Sequence, residues 1–262
     1  MDLDPDEIAP WKLPRDKHAT ISVLKHRMSE LYTVDEYLSD CEQQFEVDYL
    51  KHMNCDTRQA WEEAMDKLNA QFNIRSRNVV LEALQFGGNK EFWDGFPNEY
   101  EIEGYFKKCY LFAVDKIGYL HSHENIICAV IINEPNRHNL FVFYLPVTHK
   151  WQTKVMSGEK NESGTQLQKY DEDGNPVYKE RLGMDNPLLC RTEFWKQRGG
   201  LTSFSDLQED FFKKVSEKYG AIRGKSTSPL KNTCLAQRVR FGRYEDDKYD
   251  FIPDFDDSPY HY

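Results

Sequence analysis

Residues 125–147, NIICAVIINEPNRHNLFVFYLPV, carry the strongest strand signal in the chain. After Asn125, residues 126–132 are apolar without interruption, the pattern of a central strand covered on both faces. A polar connection of seven residues, NEPNRHN, leads to a second run at 140–147, LFVFYLPV. That length suits two antiparallel neighbours in the middle of a sheet. By the two-residue period of a strand, Phe141 and Phe143 share one face and Tyr144 takes the other.

On the N-terminal side, Ile102, Phe106, Cys109, Tyr110 and Ala113 recur at helical spacing in a long helix opened by Asn98 or Glu99. Residues 78–86 (NVVLEALQF) read as a strand closed by Gly87 and Gly88. Asp56 is placed to cap a helix with Trp61, Ala64, Met65, Leu68 and Phe72 on one side. Thr33 is the expected N-cap of a short helix running toward Phe45, and residues 19–24 (ATISVL) alternate as a strand. Residues 1–17, with three prolines, read as a flexible lead. On the C-terminal side, residues 148–200 are polar and read as an insertion, with the turn DEDGNP between the arms TQLQKY and VYKERL. Residues 201–219 return to helix, with Phe204, Leu207, Phe211, Val215 and Tyr219 on one stripe and Gly220 as the C-cap. This order describes an α+β fold, an antiparallel sheet with helices packed on one face.

Composition narrows the function classes. The chain has 262 residues, 39% hydrophobic and 14% aromatic, enough to bury a core and to exclude wholesale disorder. No window approaches a membrane span, and the acidic, proline-bearing start reads against a secretory signal. The six cysteines are scattered without a CxxC pair. The spacing therefore speaks against a zinc ribbon and a disulfide scaffold, and a reducing cytoplasm is the expected location. A net charge of -10 speaks against a protein that coats nucleic acid indiscriminately, but not against a local basic groove.

The C-terminal region is polarised. Residues 220–243 hold six basic side chains, Arg223, Lys225, Lys231, Arg238, Arg240 and Arg243, and no acid. Residues 245–257 then hold seven acids against Lys248 alone, interleaved with Tyr and Phe. One reading is a solvated segment with a loose terminus. The other is a phosphate-binding strip that the tail covers, residues 226–262 forming a terminal segment of basic stretch and then acidic aromatic tail.

A family resemblance rests on the joint order of several blocks. EFWDGFPNEYEIEGYFKKCYLFAVDKIG followed by HENIICAVIINEP resembles the Pre/Mob plasmid mobilisation and recombination relaxases, with LFVFYLPVT as the partner strand. GLTSFSDLQEDFFKKVSEKYGAIRGK is similar to the helix that follows in that family. The blocks cover roughly residues 78–225, within an expected domain at 18–225. The resemblance implies an antiparallel sheet with a DNA-binding cleft, a bacterial plasmid or mobile-element origin, and nicking of one strand at a transfer origin. In active members a side-chain nucleophile attacks the phosphodiester while histidines on alternate strand positions hold Mn or Mg.

This chain departs from the pattern at the metal. Ile132 stands at the first expected histidine, and Asn139 and Phe141 at the alternating pair, so the expectation is no metal site and no cofactor. Glu134 and His138 are the nearest possible ligands, although a one-residue slip to use His138 would turn the strand's other side chains over. Tyr32 and Tyr37 are the weak nucleophile candidates, against their reading as ordinary aromatic residues at a helix start. His121, His123 and Glu124 (HSHE) resemble a metal clip but lie on a loop away from the expected cleft. Three functions follow: a relaxase-like DNA-binding protein without strand cleavage; an active nicking enzyme rebuilt from His138, Glu134 and a tyrosine; or a non-catalytic module that binds a protein partner through its acidic surface.

Overall fold

The computed structural model describes residues 16–72 and 78–222. In chain order these form β1 (Ala19–Arg27), α1 (Leu31–Gln44), β2 (Glu46–Lys51), α2 (Thr57–Lys67), β3 (Val79–Gly88), α3 (Lys90–Trp93), α4 (Glu99–Ile117), β4 (Ile126–Glu134) and β5 (Arg137–Tyr144). The polar region follows with β6 (Val147–Thr148), β7 (Lys150–Lys154), β8 (Met156–Lys160), β9 (Gln166–Gln168), β10 (Tyr178–Leu182) and β11 (Leu188–Leu189), then α5 (Arg191–Lys196) and α6 (Ser203–Lys214). The first five strands make one antiparallel sheet in the order β1-β3-β5-β4-β2, so the fold is α+β as read from the sequence.

β4 and β5 sit at its centre and are buried on both faces. Their connection is tighter than the seven residues expected, because both strands extend until only Pro135 and Asn136 remain between them. Asn136 accepts the left-handed φ of 62° that a two-residue turn needs, a conformation asparagine tolerates.

The helices were expected on one face and lie on both. Leu84, Phe86, Ala129, Ile131, Leu140 and Val142 pack against α4 and α6 through Phe106, Phe112, Leu207 and Phe211. Val130, Ile132, Phe141 and Phe143 point the other way, onto α1 and α2 through Leu38, Cys41, Trp61 and Met65. The physical reason lies in β4 and β5 themselves: strands apolar at every position expose one apolar face unless both are covered.

Local chemistry explains the helix starts. Asp56 accepts from the Gln59 backbone N–H at 2.8 Å and Asn98 from that of Glu101 at 3.0 Å, as anticipated. Thr33 is not a cap. The helix begins earlier, after the 3-10 turn at Met28–Glu30, where the Glu30 carboxylate accepts from the Arg27 N–H at 2.9 Å. The polar region also differs in pairing: β10 lies against β7 and β9 against β8, with the DEDGN turn bridged by Tyr170 and Pro176. Its last part returns to the core, where Phe194 and Trp195 of α5 are buried.

Glu82 anchors that return. This fully buried carboxylate accepts from Arg191 Nε at 2.6 Å, Trp195 Nε1 at 2.9 Å and the Tyr144 hydroxyl at 2.6 Å. Burial and the neighbouring Glu82 both hold the proton on Tyr144, so it donates to the carboxylate. No helix among the described residues is long and apolar enough to cross a membrane.

Candidate functional site

The positions where imidazoles were expected form one row on the face toward α1. Ile132 and Asn139 are direct cross-strand partners, and Phe141, two residues along, shares their side. Beside Phe141 on β3 is Gln85, and beside Gln85 on β1 is Ser22. A hydrogen-bonded chain links these: Ser22 Oγ donates to Gln85 Oε1 at 3.2 Å, and Gln85 Nε2 donates to Asn139 Oδ1 at 3.2 Å. Gly87 lies next in the row, opposite Thr20. A Cβ on Gly87 would stand 2.8 Å from Asn139 Oδ1, so the amide oxygen fills the space above this backbone.

These residues do not fit a divalent cation. Ile132 and Phe141 offer no donor atom, and the Asn139 oxygen is already engaged by Gln85. Among the described residues no three His, Cys, Asp or Glu side chains converge as metal ligands would.

Tyr37 comes down from α1 onto this row. Its ring meets Phe141 edge-on, with centroids 5.8 Å apart. Burial pushes its phenol far above the usual tyrosine range, with Cys41 and then Glu134 adding to the effect. A nucleophilic tyrosine must lose that proton, so this setting holds Tyr37 in its unreactive form. Glu134 belongs to the same face by strand alternation. Tyr32 is exposed on the outside of α1.

His138 is elsewhere. It pairs with Asn133, its Nδ1 2.9 Å from Asn133 Oδ1, on the opposite face, and its ring packs against Trp93 of α3 at 5.2 Å. Burial lowers its pKa below the usual histidine value, against the opposing pull of Glu99 and Glu46. One ion or one substrate atom cannot be shared by His138 and Tyr37, because the sheet lies between them. The rebuilt site of His138, Glu134 and a tyrosine is not assembled.

The HSHE segment follows α4 at the other end of the sheet. Glu124 pairs loosely with Lys67 at 3.9 Å, and His121 Nδ1 lies 4.0 Å from Asp115. Arg223, Lys225, Lys231, Arg238, Arg240 and Arg243 lie outside the described residues, as does the acidic tail. The chain reaches them from Ile222, whose N–H donates to the Lys17 carbonyl at 2.7 Å and whose carbonyl lies 3.0 Å from His18 Nδ1. His18 precedes β1 at the end of the sheet where Thr20, Gly87 and Asn139 are found.

Solved relaxase domains resemble this chain. The MobM relaxase domain (MOBV; Mob_Pre) bound to plasmid pMV158 oriT DNA of 22 nucleotides, in a Mn-bound crystal, is 13% identical with a TM-score of 0.49, over 84% of this chain and 99% of that one. The same domain with 26 nucleotides of oriT DNA is 12% identical with a TM-score of 0.48, over 80% and 95%. At such identity no residue role transfers. No family model and no curated protein matches the chain.

Ser22 and Gln85 were not singled out from the sequence. Their signal was present: each is a polar side chain flanked by apolar residues on its strand, Ile21 and Val23 beside Ser22 and Leu84 and Phe86 beside Gln85.

Proposed function

We propose that this is a relaxase-like DNA-binding protein of plasmid or mobile-element origin that does not cleave the strand. The observation that carries the reading is the placement of Ile222. Its N–H and carbonyl hold the last described residue before the basic side chains against Lys17 and His18, at the sheet end that holds the amide row. The sequence blocks that resemble the Pre/Mob relaxases correspond to α4, β4, β5 and α6, the elements around that sheet. Absence of cleavage is argued from the same row. Ile132, Asn139 and Phe141 stand where ligands are required, the Asn139 oxygen is engaged by Gln85, and Tyr37 is held protonated. The protein then holds a strand by its phosphates and reads it without a covalent intermediate.

The test is a fluorescence-anisotropy titration of full-length protein on one oligonucleotide at several salt concentrations. With six basic side chains available between residues 223 and 243, log K is expected to fall with log salt at a slope of up to about -5. Absence of binding at low salt overturns the reading in favour of a protein-interaction module.

A further inference from the structure

At the end of the sheet away from the amide row, a cavity of about 330 Å³ opens beneath the C-terminus of α4. Lys116, His121, His149, Gln197 and Arg198 bring basic or donor groups to its wall, and Asp115 supplies an acid. That acid is already faced by Lys214 at 3.6 Å and His121 at 4.0 Å, and Lys116 is paired with Asp210.

Arg198 is different. Its Nε donates to the Lys116 carbonyl at 2.8 Å, its Nη1 to the Phe194 carbonyl at 3.1 Å, and its guanidinium stacks 3.6 Å from the centroid of Phe194. Three contacts fix the group, yet among the described residues none comes from a carboxylate within ion-pair distance. Glu82, whose charge it feels, is committed to Arg191. A half-buried, immobilised cation without a counter-charge is costly unless an anion arrives.

The loop that closes the cavity is strained and held so. Leu120 (φ 50°, ψ 39°) and His121 (φ 60°) are consecutive non-glycine residues in the left-handed region, a conformation that costs free energy in an L-residue. Gly118 before them cannot carry a side chain, since a Cβ would stand 2.3 Å from the Val114 carbonyl oxygen and 2.4 Å from that of Ser122. Asn125 locks the arrangement. Its Oδ1 accepts from the Tyr119 N–H at 2.7 Å, and its Nδ2 donates to the carbonyls of Ile117 and Leu145 at 2.9 and 3.0 Å. Strain that persists because its surroundings over-determine it is found at ligand clamps.

The geometry points to an oxyanion site in this cavity, taking the phosphate group of a nucleotide-sized ligand, with Arg198 as the fixed fork and His121, His149 and Gln197 closing around it. Donors arrive from α4, its closing loop, the β6–β7 link and the end of α5, which suits a tetrahedral anion better than a flat carboxylate. The volume leaves room for a sugar beside the phosphate. This inference is independent of the DNA reading, because the cavity and the amide row are at opposite ends of the sheet.

The phosphate has two sources, a free nucleotide or the end of a nucleic-acid strand. Calorimetric titration of the full-length protein separates them, using inorganic phosphate, deoxyadenosine monophosphate, and one short single strand with and without a 5′ phosphate. Binding of the first two assigns a free ligand; tighter binding of the 5′-phosphorylated strand alone assigns a strand end. In either case His121→Glu and Gln197→Glu, in variants whose unchanged urea midpoints show an intact fold, should each weaken binding about tenfold or more by placing a negative charge on the wall. Arg198→Gln should abolish it. No binding by any of the four probes, or affinities unchanged in both Glu variants, overturns the site.

Discussion

Tyr37 and His138 face away from each other across a single sheet, one against Phe141 and the other against Trp93. No nicking of supercoiled plasmid is therefore expected with Mn or Mg. Conversion to open circles that is abolished by Tyr37→Phe or by His138→Ala overturns this expectation.

The acidic tail should compete with DNA. Its seven carboxylates follow the basic stretch within a few residues, and their effect is largest when charges are least screened. Truncation after Arg243 should tighten binding at low salt, with the gain shrinking toward the ionic strength at which the Debye length is about 8 Å. Equal affinities of the two forms at low salt in an anisotropy titration dispose of the competition.

Phe211 is 2% exposed and sits between Phe86 of β3 and Phe112 of α4, at centroid distances of 5.3 and 5.7 Å. Phe211→Ala should cost about 3–5 kcal/mol in a reversible urea titration. A loss below about 1 kcal/mol means that α6 does not seal this face.

His26 is buried on the α1 face beside Phe143, and neither ring nitrogen has a hydrogen-bond partner among the described residues. Burial lowers its pKa from 6.5 to about 4. The unfolded chain binds this proton more readily, so the contribution is fully present above pH 6.5 and is lost as pH falls toward 4. The total is on the order of 3 kcal/mol. His26→Leu should flatten that part of the stability-against-pH curve relative to the natural protein, and parallel curves refute the assignment.

Glu82 and Arg191 form a buried pair whose halves depend on each other. Removing either alone, as Glu82→Leu or Arg191→Met, leaves an uncompensated charge and should cost about 3–5 kcal/mol. The double variant should cost clearly less than the sum, though not nothing, because Tyr144 and Trp195 also lose their acceptor. Additive losses in a double-mutant cycle exclude the coupling.

The parts of the fold that could be read from sequence are those where one local pattern decides. Uninterrupted apolarity marked β4 and β5, and Phe204, Leu207 and Phe211 marked α6. β2 was missed because EVDYLK alternates charges with apolar residues and, as a half-exposed edge strand, resembles a linker. Placing helices on one face overlooked what unbroken apolar strands require. Within the candidate site, the absence of imidazoles at Ile132, Asn139 and Phe141 was visible position by position. The Ser22–Gln85–Asn139 chain was not, since it exists only once three strands adopt a common register.

The strand order also bears on how the chain emerges from the ribosome. In the five-stranded sheet only β4 and β5 are neighbours both in space and in sequence. They can pair as soon as the Pro135–Asn136 turn has been made, whereas β1 waits for β3 and β2 for β4. β1 thus stays an unpaired edge until residue 88 has been made and β2 until residue 134, and an unpaired strand is most open to association with another chain. Slow elongation before residue 144 should therefore favour aggregation of this protein, and slow elongation after it should not.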